Sequence, residues 1–206
     1  MGFPAPEVAC GEALAARGVL QVDLQGLALD WTRWADYARS VSPLIAAQDD
    51  GGQPHANDLL DAPEPFPFEA LLAFLEGALA KYIDAPLAAL KVYDAFTLHY
   101  DKAQAETTFN QHRDPSFVTV NICLERQPGT TGSQIEFWGA PHLEDATDNS
   151  RRFLAVVQPR TALIHLGRHL HQTRPLQQGG RSQAVIYLTR KDRETDNDGM
   201  YFGLVE

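Results

Sequence analysis

Cysteine is nearly absent from this chain: Cys10 and Cys123 are its two, too few for a disulfide framework. Cys123 falls inside a strand-like run, where a buried reduced thiol is the ordinary state, so a reducing cytoplasm is the expected compartment. No apolar run approaches the roughly 18 to 20 residues that cross a bilayer, and no membrane partner is expected. The opening Met1-Gly-Phe-Pro-Ala-Pro lacks the basic start and long apolar centre of a signal peptide. Pro6 stands where myristoylation of Gly2 needs Ser or Thr. Positive charge is scarce as well. Against 27 Asp and Glu there are 17 Lys and Arg, a net charge of −10, which repels a phosphate backbone and speaks against nucleic acid. No internal repeat is visible.

What remains has the make-up of an ordinary globular protein: 206 residues, 44% hydrophobic and 21% charged. One domain over 1–206 is the simplest division, long enough for a proper core. Residues 1–89 read as mainly helical support, 90–190 as a β core, and 191–206 as a charged tail whose last residues, Met200 to Val205, dock back. A weak helix is expected over Val8–Arg17, a short strand at Val19–Leu24, and a helix from Leu27 to Ala47. Gln48–Pro67 reads as a long loop, equally a lid or a plain connector. Phe68–Ile83 is the clearest helix, with Leu71, Leu72, Phe74, Leu75, Leu79 and Tyr82 forming a stripe.

From Leu90 the hydrophobic period changes to two. Val92, Asp94, Phe96, Leu98 and Tyr100 share one face, and a polar loop over Asp101–Thr107 follows. In Phe117–Leu124 the apolar set Val118, Val120, Ile122 and Leu124 opposes Thr119, Asn121 and Cys123. That pattern suits a strand covered by helices on one side and facing a ligand cavity on the other. Further strands are expected at Ser133–Trp138, Phe153–Gln158, Thr161–Thr173 and Arg181–Thr189, with a polar loop over 139–151 and a turn at Arg174–Gly180. Many short strands after a helical start predict a mainly β jelly roll with N-terminal helices against one sheet.

The chemistry concentrates in Phe109-Asn-Gln-His112-Arg-Asp114-Pro. Residues i and i+2 of a strand point to one face, so His112 and Asp114 offer a nitrogen and an oxygen to one metal. A second histidine-rich stretch, Leu166-Gly-Arg-His169-Leu-His171-Gln-Thr-Arg-Pro175, follows, and Arg181 opens the last strand. Two histidines and a carboxylate on one side of a metal, with open positions opposite, are the donor set of non-haem Fe(II) oxygenases. The same set also suits Zn2+ in a hydrolase.

The order H-x-D, apolar strand, Gly-containing turn, then H-x3-P-x3-G-x-R, carried by His112, Asp114, His171, Pro175, Gly179 and Arg181, resembles the 2-oxoglutarate- and Fe(II)-dependent oxygenases. Within them it is similar to the prolyl-4-hydroxylase-like branch. The likeness runs from about Lys91 to Arg190. It implies a double-stranded β-helix (a cupin-like jelly roll), with Fe(II) on His112, Asp114 and His171. It also implies 2-oxoglutarate as cosubstrate, O2 as oxidant and ascorbate as a stimulant. The implied reaction hydroxylates an unactivated C–H bond and releases succinate and CO2. Desaturation or cyclisation at the same site, or a jelly roll that binds metal or ligand without turnover, are the alternatives. Retention of Asp114 argues against a halogenase.

Arg181 suits the cosubstrate's far carboxylate because its planar fork binds a carboxylate through two hydrogen bonds and stays charged. Zinc hydrolases have no need of that clamp. Tyr100 occupies the place of a cosubstrate-contacting tyrosine, and Asn121 lies on an inward face; both also fit plain satisfied polar residues. Several relatives put Tyr where Cys123 stands and use Arg-x-Ser where this chain has Arg181-Ser182-Gln183, which brings Asn121 and Gln183 forward as substitutes. Arg113, Gln134, Glu136 and Trp138 are candidates for an outer pocket taking a polar small molecule, an amino acid or a peptide residue. A monomer or a homodimer is expected. His165, His169 and His171 share one face of an unbroken strand, so period cannot choose among them. Closeness to Arg181 across a hairpin, and the family spacing, select His171, with His169 as an outer partner.

Overall fold

In the computed structural model of this chain, residues 7–40, 56–83, 86–103, 108–139 and 152–192 are described. The helical part begins with α1 (Glu12–Ala15), α2 (Trp31–Arg39) and α3 (Phe68–Ile83). Strands β1 (Glu7–Ala9), β2 (Val19–Asp23) and β3 (Ala56–Asp58) lie among them. The β core follows with β4 (Leu90–Asp101), β5 (Phe109–His112), β6 (Val118–Arg126), β7 (Thr131–Gly132) and β8 (Ile135–Phe137). It ends with β9 (Phe153–Ala155), β10 (Thr161–Leu166), β11 (His171–Thr173), β12 (Leu176–Gln178) and β13 (Gly180–Arg190). A six-stranded sheet has the order β2-β10-β6-β13-β4-β3, and a five-stranded sheet the order β1-β9-β8-β11-β5.

The period-two patterns decide how these layers stack. Val118, Val120, Ile122 and Leu124 of β6 join Ala184, Ile186 and Leu188 of β13 on the outer face of the larger sheet, where α2 and α3 cover them in the main core. Leu71, Leu75 and Leu79, one turn apart on α3, are completely buried there. Each such leucine contributes about 1.5 to 3 kcal/mol relative to exposure. The opposite face of the larger sheet meets the smaller sheet across a second apolar cluster, in which Cys123 and Leu163 pack with Phe137 and Phe153. A third cluster on that face holds Leu98, Tyr100, Val185 and Tyr187 with Leu176 of β12.

Several boundaries differ from the sequence expectations. Helix α2 starts at Trp31 rather than Leu27, because Asp30 caps it by accepting the Arg33 N–H at 3.0 Å. It reaches its C-cap at Ser40, and 41–47 lie outside the described residues. The expected helix over Val8–Arg17 is shortened to α1, since residues 7–9 instead pair in parallel with β9. The expected loop Gln48–Pro67 contains β3, which pairs with β4, and buries Leu59 and Phe66 in the main core. Its residues 56–67 are thus tied to the sheet and the core, and 48–55 lie outside the described residues. So do 104–107 of the expected loop Asp101–Thr107, most of the loop 139–151, and the tail beyond Asp192.

Thr161–Thr173 is not one strand. It breaks after Leu166, leaving β10 in the larger sheet and β11 in the smaller one. Gly167 permits the break: a Cβ there would lie 2.0 Å from the Ser116 carbonyl oxygen, so only glycine allows the two segments this close. The expected turn Arg174–Gly180 contains β12, paired with β7. Among the described residues, no helix is long and apolar enough to cross a membrane.

Candidate metal centre and its cavity

His112 closes β5 and His171 opens β11, and the two are cross-strand partners in the smaller sheet. Asp114 lies beyond the end of β5, not on the strand face that the i, i+2 argument assumed. Its backbone N–H bonds the Gly167 carbonyl at 2.9 Å, so the turn after β10 sets its position. The result brings the three side chains together all the same. One donor atom from each of His112, Asp114 and His171 lies within 4.8 Å of the other two. Asp114 Oδ1 is 3.3 Å from His112 Nε2 and 3.6 Å from His171 Nε2.

The backbone fixes which nitrogen each histidine presents. His112 Nδ1 lies 2.6 Å from the Asn110 carbonyl, and His171 Nδ1 lies 2.8 Å from the His169 carbonyl. A carbonyl only accepts, so both Nδ1 atoms carry a proton and both rings turn Nε2 toward Asp114. This is the usual support of a metal-binding histidine. Burial pushes His171 down to about 3, keeping it neutral. Burial acts downward on His112 too, but the hydrogen bond and charge of Asp114 and the Asn110 carbonyl outweigh it and raise its pKa. Burial alone would push the Asp114 carboxyl up; His171, His112 and His165 around it prevail and hold it well below the usual carboxylate range.

The other two histidines take different parts. His165 is fully buried, with Nε2 3.7 Å from Asp114 Oδ2 and Nδ1 3.0 Å from the Leu166 carbonyl. Its ring meets His171 edge-on at 4.7 Å. His169 packs against Phe137 at 4.9 Å and contributes its carbonyl to His171. Burial lowers both, to about 4.

A cavity opens beside the cluster. Phe96, Leu98, Phe109, Ile135 and Val185 give it apolar walls, and Tyr100, Asn121, Thr173, Gln183 and Tyr187 add polar groups. Arg181 stands behind that wall, fully buried, with its guanidinium 5.0 Å over the Tyr100 ring. It donates from Nη1 to the Ser133 carbonyl at 2.7 Å, while Nε and Nη2 have no partner among the described residues. The Tyr100 hydroxyl, the Asn121 Oδ1 and the Gln183 Oε1 are also buried without a hydrogen bond. Buried polar groups are ordinarily paired, so this concentration marks a place for a polar ligand.

Arg181 does not reach this position by a hairpin with His171. It pairs with Tyr100 and Arg126 within the larger sheet, whereas His171 belongs to the smaller one. The two meet across the space between sheets. Gly179 shapes the approach to Arg181: its φ is +76°, and a Cβ would lie 2.4 Å from Thr130 Oγ1. Only glycine takes that turn without strain.

The four outer-pocket candidates do not line this cavity. Arg113 is exposed and donates to the Arg168 carbonyl. Glu136 points away from its cavity-lining neighbour Ile135, because side chains alternate along β8. It is fully buried against Arg174 at 3.0 Å and Arg152 at 3.4 Å, and accepts from Gln172 at 2.8 Å. The Gln134 backbone carbonyl accepts the Arg174 backbone N–H at 2.8 Å, and the backbone N–H of buried Trp138 donates to the Leu170 carbonyl at 3.0 Å. Two residues that sequence reasoning assigned no role touch the carboxylate directly. Thr119 Oγ1 donates to Asp114 Oδ2 at 2.6 Å, and the Tyr187 hydroxyl donates to Oδ1 at 3.1 Å. Inward position on alternating strands was the available signal for both.

No protein-family model and no curated protein matches the sequence. Solved structures do match. An oxidoreductase of the 2OG-Fe(II) oxygenase family from Burkholderia pseudomallei is 13% identical, with a TM-score of 0.60, covering 90% of this chain and 96% of that one. A prolyl-4-hydroxylase from Pseudomonas putida is 14% identical, TM-score 0.55, covering 87% and 96%. The non-heme alpha ketoglutarate dependent carbocyclase SnoK of nogalamycin biosynthesis is 16% identical, TM-score 0.58, covering 90% and 87%. The chain therefore has the double-stranded β-helix fold of the 2OG-Fe(II) oxygenase structures.

Proposed function

We propose that this protein is a 2-oxoglutarate- and Fe(II)-dependent oxygenase. The observation that carries the reading is the juxtaposition of two things. His112, Asp114 and His171 present their donor atoms together, and beside them lies a cavity backed by a fully buried Arg181 with unpartnered nitrogens. Two imidazoles turned to offer Nε2 and one ionised carboxylate match the donor set of such an iron, with positions left open. The inner wall suits a dicarboxylic 2-oxo acid. Its far carboxylate would find the Nε and Nη2 of Arg181 and the Tyr100 hydroxyl, which have no hydrogen-bond partner in the described protein, with the amides of Asn121 and Gln183 in the same cavity wall.

Iron, 2-oxoglutarate and O2 bound there supply the oxidation of an unactivated C–H bond, with succinate and CO2 released. The chain's own residues do the rest. The Asn110 and His169 carbonyls hold the two imidazoles with Nε2 toward the metal. Asp114 carries the charge. Arg181 and Tyr100 orient the cosubstrate, and Phe96, Leu98, Phe109, Ile135 and Val185 exclude water. In this reading residues 90–190 hold the site, 1–89 support it, and the substrate is a small molecule, an amino acid or a peptide residue. Hydroxylation is the expected outcome. Cyclisation is the second reading, favoured by the likeness to a carbocyclase of the same fold.

The test uses purified protein with Fe(II), ascorbate and 2-oxoglutarate. Slow O2 uptake and succinate release are expected without added substrate, lost with zinc in place of iron and lost in His112→Ala. Equal rates in wild type and variant refute the assignment. Product analysis on a turned-over substrate separates hydroxylation from cyclisation.

A further inference from the structure

The two oxygens of Asp114 stand in different surroundings. Oδ1 faces both candidate ligand imidazoles, at 3.3 and 3.6 Å, and accepts the Tyr187 hydroxyl at 3.1 Å. Oδ2 receives the Thr119 hydroxyl at 2.6 Å. Thr119 is fully buried, and its oxygen lies 2.8 Å from Ser116 Oγ, itself almost buried. Because the Thr119 proton is committed to the carboxylate, Ser116 must be the donor in that second bond. The hydroxyls therefore run as a relay, Ser116 to Thr119 to Oδ2, with each bond polarising the next. Thr119 is held on β6 between β10 and β13, opposite His165 and Tyr187. Ser116 is held from outside by the close approach of Gly167.

A carboxylate ligand binds a metal through one oxygen or through both. Binding through both consumes a position that the cosubstrate or O2 needs. We propose that the Ser116–Thr119 relay holds Asp114 as a one-oxygen ligand, so that Thr119 is the positioning residue that keeps the open positions open. The inference rests on the oxygenase reading for its consequence, but its geometry belongs to this chain. Each oxygen accepts a hydroxyl, but Oδ2 takes the shorter bond, from a donor that Ser116 backs and that lies outside the cavity lining, whereas Oδ1 is the oxygen placed among the imidazoles. The sequence offers no motif for it, since Thr119 is five residues past Asp114 and on another strand.

Thr119→Val removes the hydroxyl and keeps the branched shape; Thr119→Ser keeps the hydroxyl. Cobalt(II) is the probe, since its visible absorption reports coordination number without turnover. In Thr119→Val the freed Oδ2 joins the metal, and the cobalt spectrum of the protein without cosubstrate shifts toward higher coordination. Cobalt affinity falls by roughly 10-fold, the low end of the range for losing a hydrogen bond to a metal ligand. The 2-oxoglutarate affinity of that protein falls by more, because a metal position is lost as well, and Thr119→Ser behaves as wild type.

An unchanged cobalt spectrum in Thr119→Val overturns the proposal. So does an equal loss of cobalt and cosubstrate binding, which marks a merely structural threonine. If wild type binds cobalt but not 2-oxoglutarate, the oxygenase reading fails, and the cobalt spectrum alone still decides the role of Thr119.

Discussion

Replacing Arg181 by methionine separates what this residue does for the cosubstrate from what it does for the fold. The side chain is fully buried, and its pKa is lowered first of all by that burial, which disfavours its charge. Its one hydrogen bond among the described residues runs to the Ser133 carbonyl. Replacing buried ionic groups by apolar chains of similar volume is often neutral or stabilising by about 1 to 4 kcal/mol. Stranding the Ser133 carbonyl costs about 1 to 3 kcal/mol. These offset, so the free variant should melt close to wild type.

The cosubstrate tells a different story. Losing one partner of a buried charge-assisted pair costs about 2 to 5 kcal/mol, or roughly 30- to several-thousand-fold in affinity. At a 2-oxoglutarate concentration of about 100 times the wild-type Kd, wild type gains about 2.7 kcal/mol of stability. The variant gains less than about 0.9 kcal/mol. For a protein of this size that is a rise in Tm of roughly 5 to 11 °C against less than about 4 °C. Thermal melts of the manganese-loaded protein, with and without 2-oxoglutarate, read both numbers. A full shift in Arg181→Met refutes the clamp and moves its role to Tyr100, Asn121 and Gln183. A variant that melts far below wild type without cosubstrate shows that Arg181 is structural.

Three further outcomes are expected. In Fe(II) titrations His171→Ala should lose tight binding, while His169→Ala, which keeps the backbone carbonyl that holds His171, should retain it; the reverse pattern means the donor set is wrong. Tyr82 donates to the Gly18 carbonyl at 2.6 Å and accepts the Leu166 N–H at 3.1 Å, and burial pushes its pKa from 10.0 up to about 12. Its folded value is the higher one, so its contribution is whole below pH 10 and fades as pH rises from there to about 12. Unfolding free energies should fall by about 2 to 3 kcal/mol more in wild type than in Tyr82→Phe over that interval, and parallel curves would refute the bridge. Gly167→Ala drives a Cβ to 2.0 Å from the Ser116 carbonyl oxygen. It should cost about 1 to 3 kcal/mol in denaturant unfolding, and a silent substitution would show that the turn has room.

Much of this molecule was written in local pattern. Helix α3 occupies the span its apolar stripe marks, and the two faces of β6 divide as their alternation requires. Val118, Val120, Ile122 and Leu124 lie under the helices, with Thr119 and Asn121 on the inner side. Hydrophobic period is a local property, and it survives folding because it is the cause of the layering. The H-x-D and H-x3-P-x3-G-x-R strings pointed to the candidate metal cluster and Arg181, although the Gly167 turn and the meeting of two sheets, not the local turns that were assumed, bring these residues together.

Other features depended on what lies alongside. Period counted Thr161–Thr173 as one strand; the break after Leu166 comes from a contact between Gly167 and Ser116, far apart in sequence. Glu136 looked like an outer-pocket ligand by type, yet its place on β8 turns it toward Arg152 and Arg174. Thr119 and Tyr187 carry no motif, and become neighbours of Asp114 only when three strands and one turn converge. A residue's face is set by its own strand, but what that face meets is set by the register of the others. Pairing between distant strands is decided by the whole core at once, so sequence alone pointed to the candidate metal-binding residues while only the tertiary structure brought forward the groups that hold them.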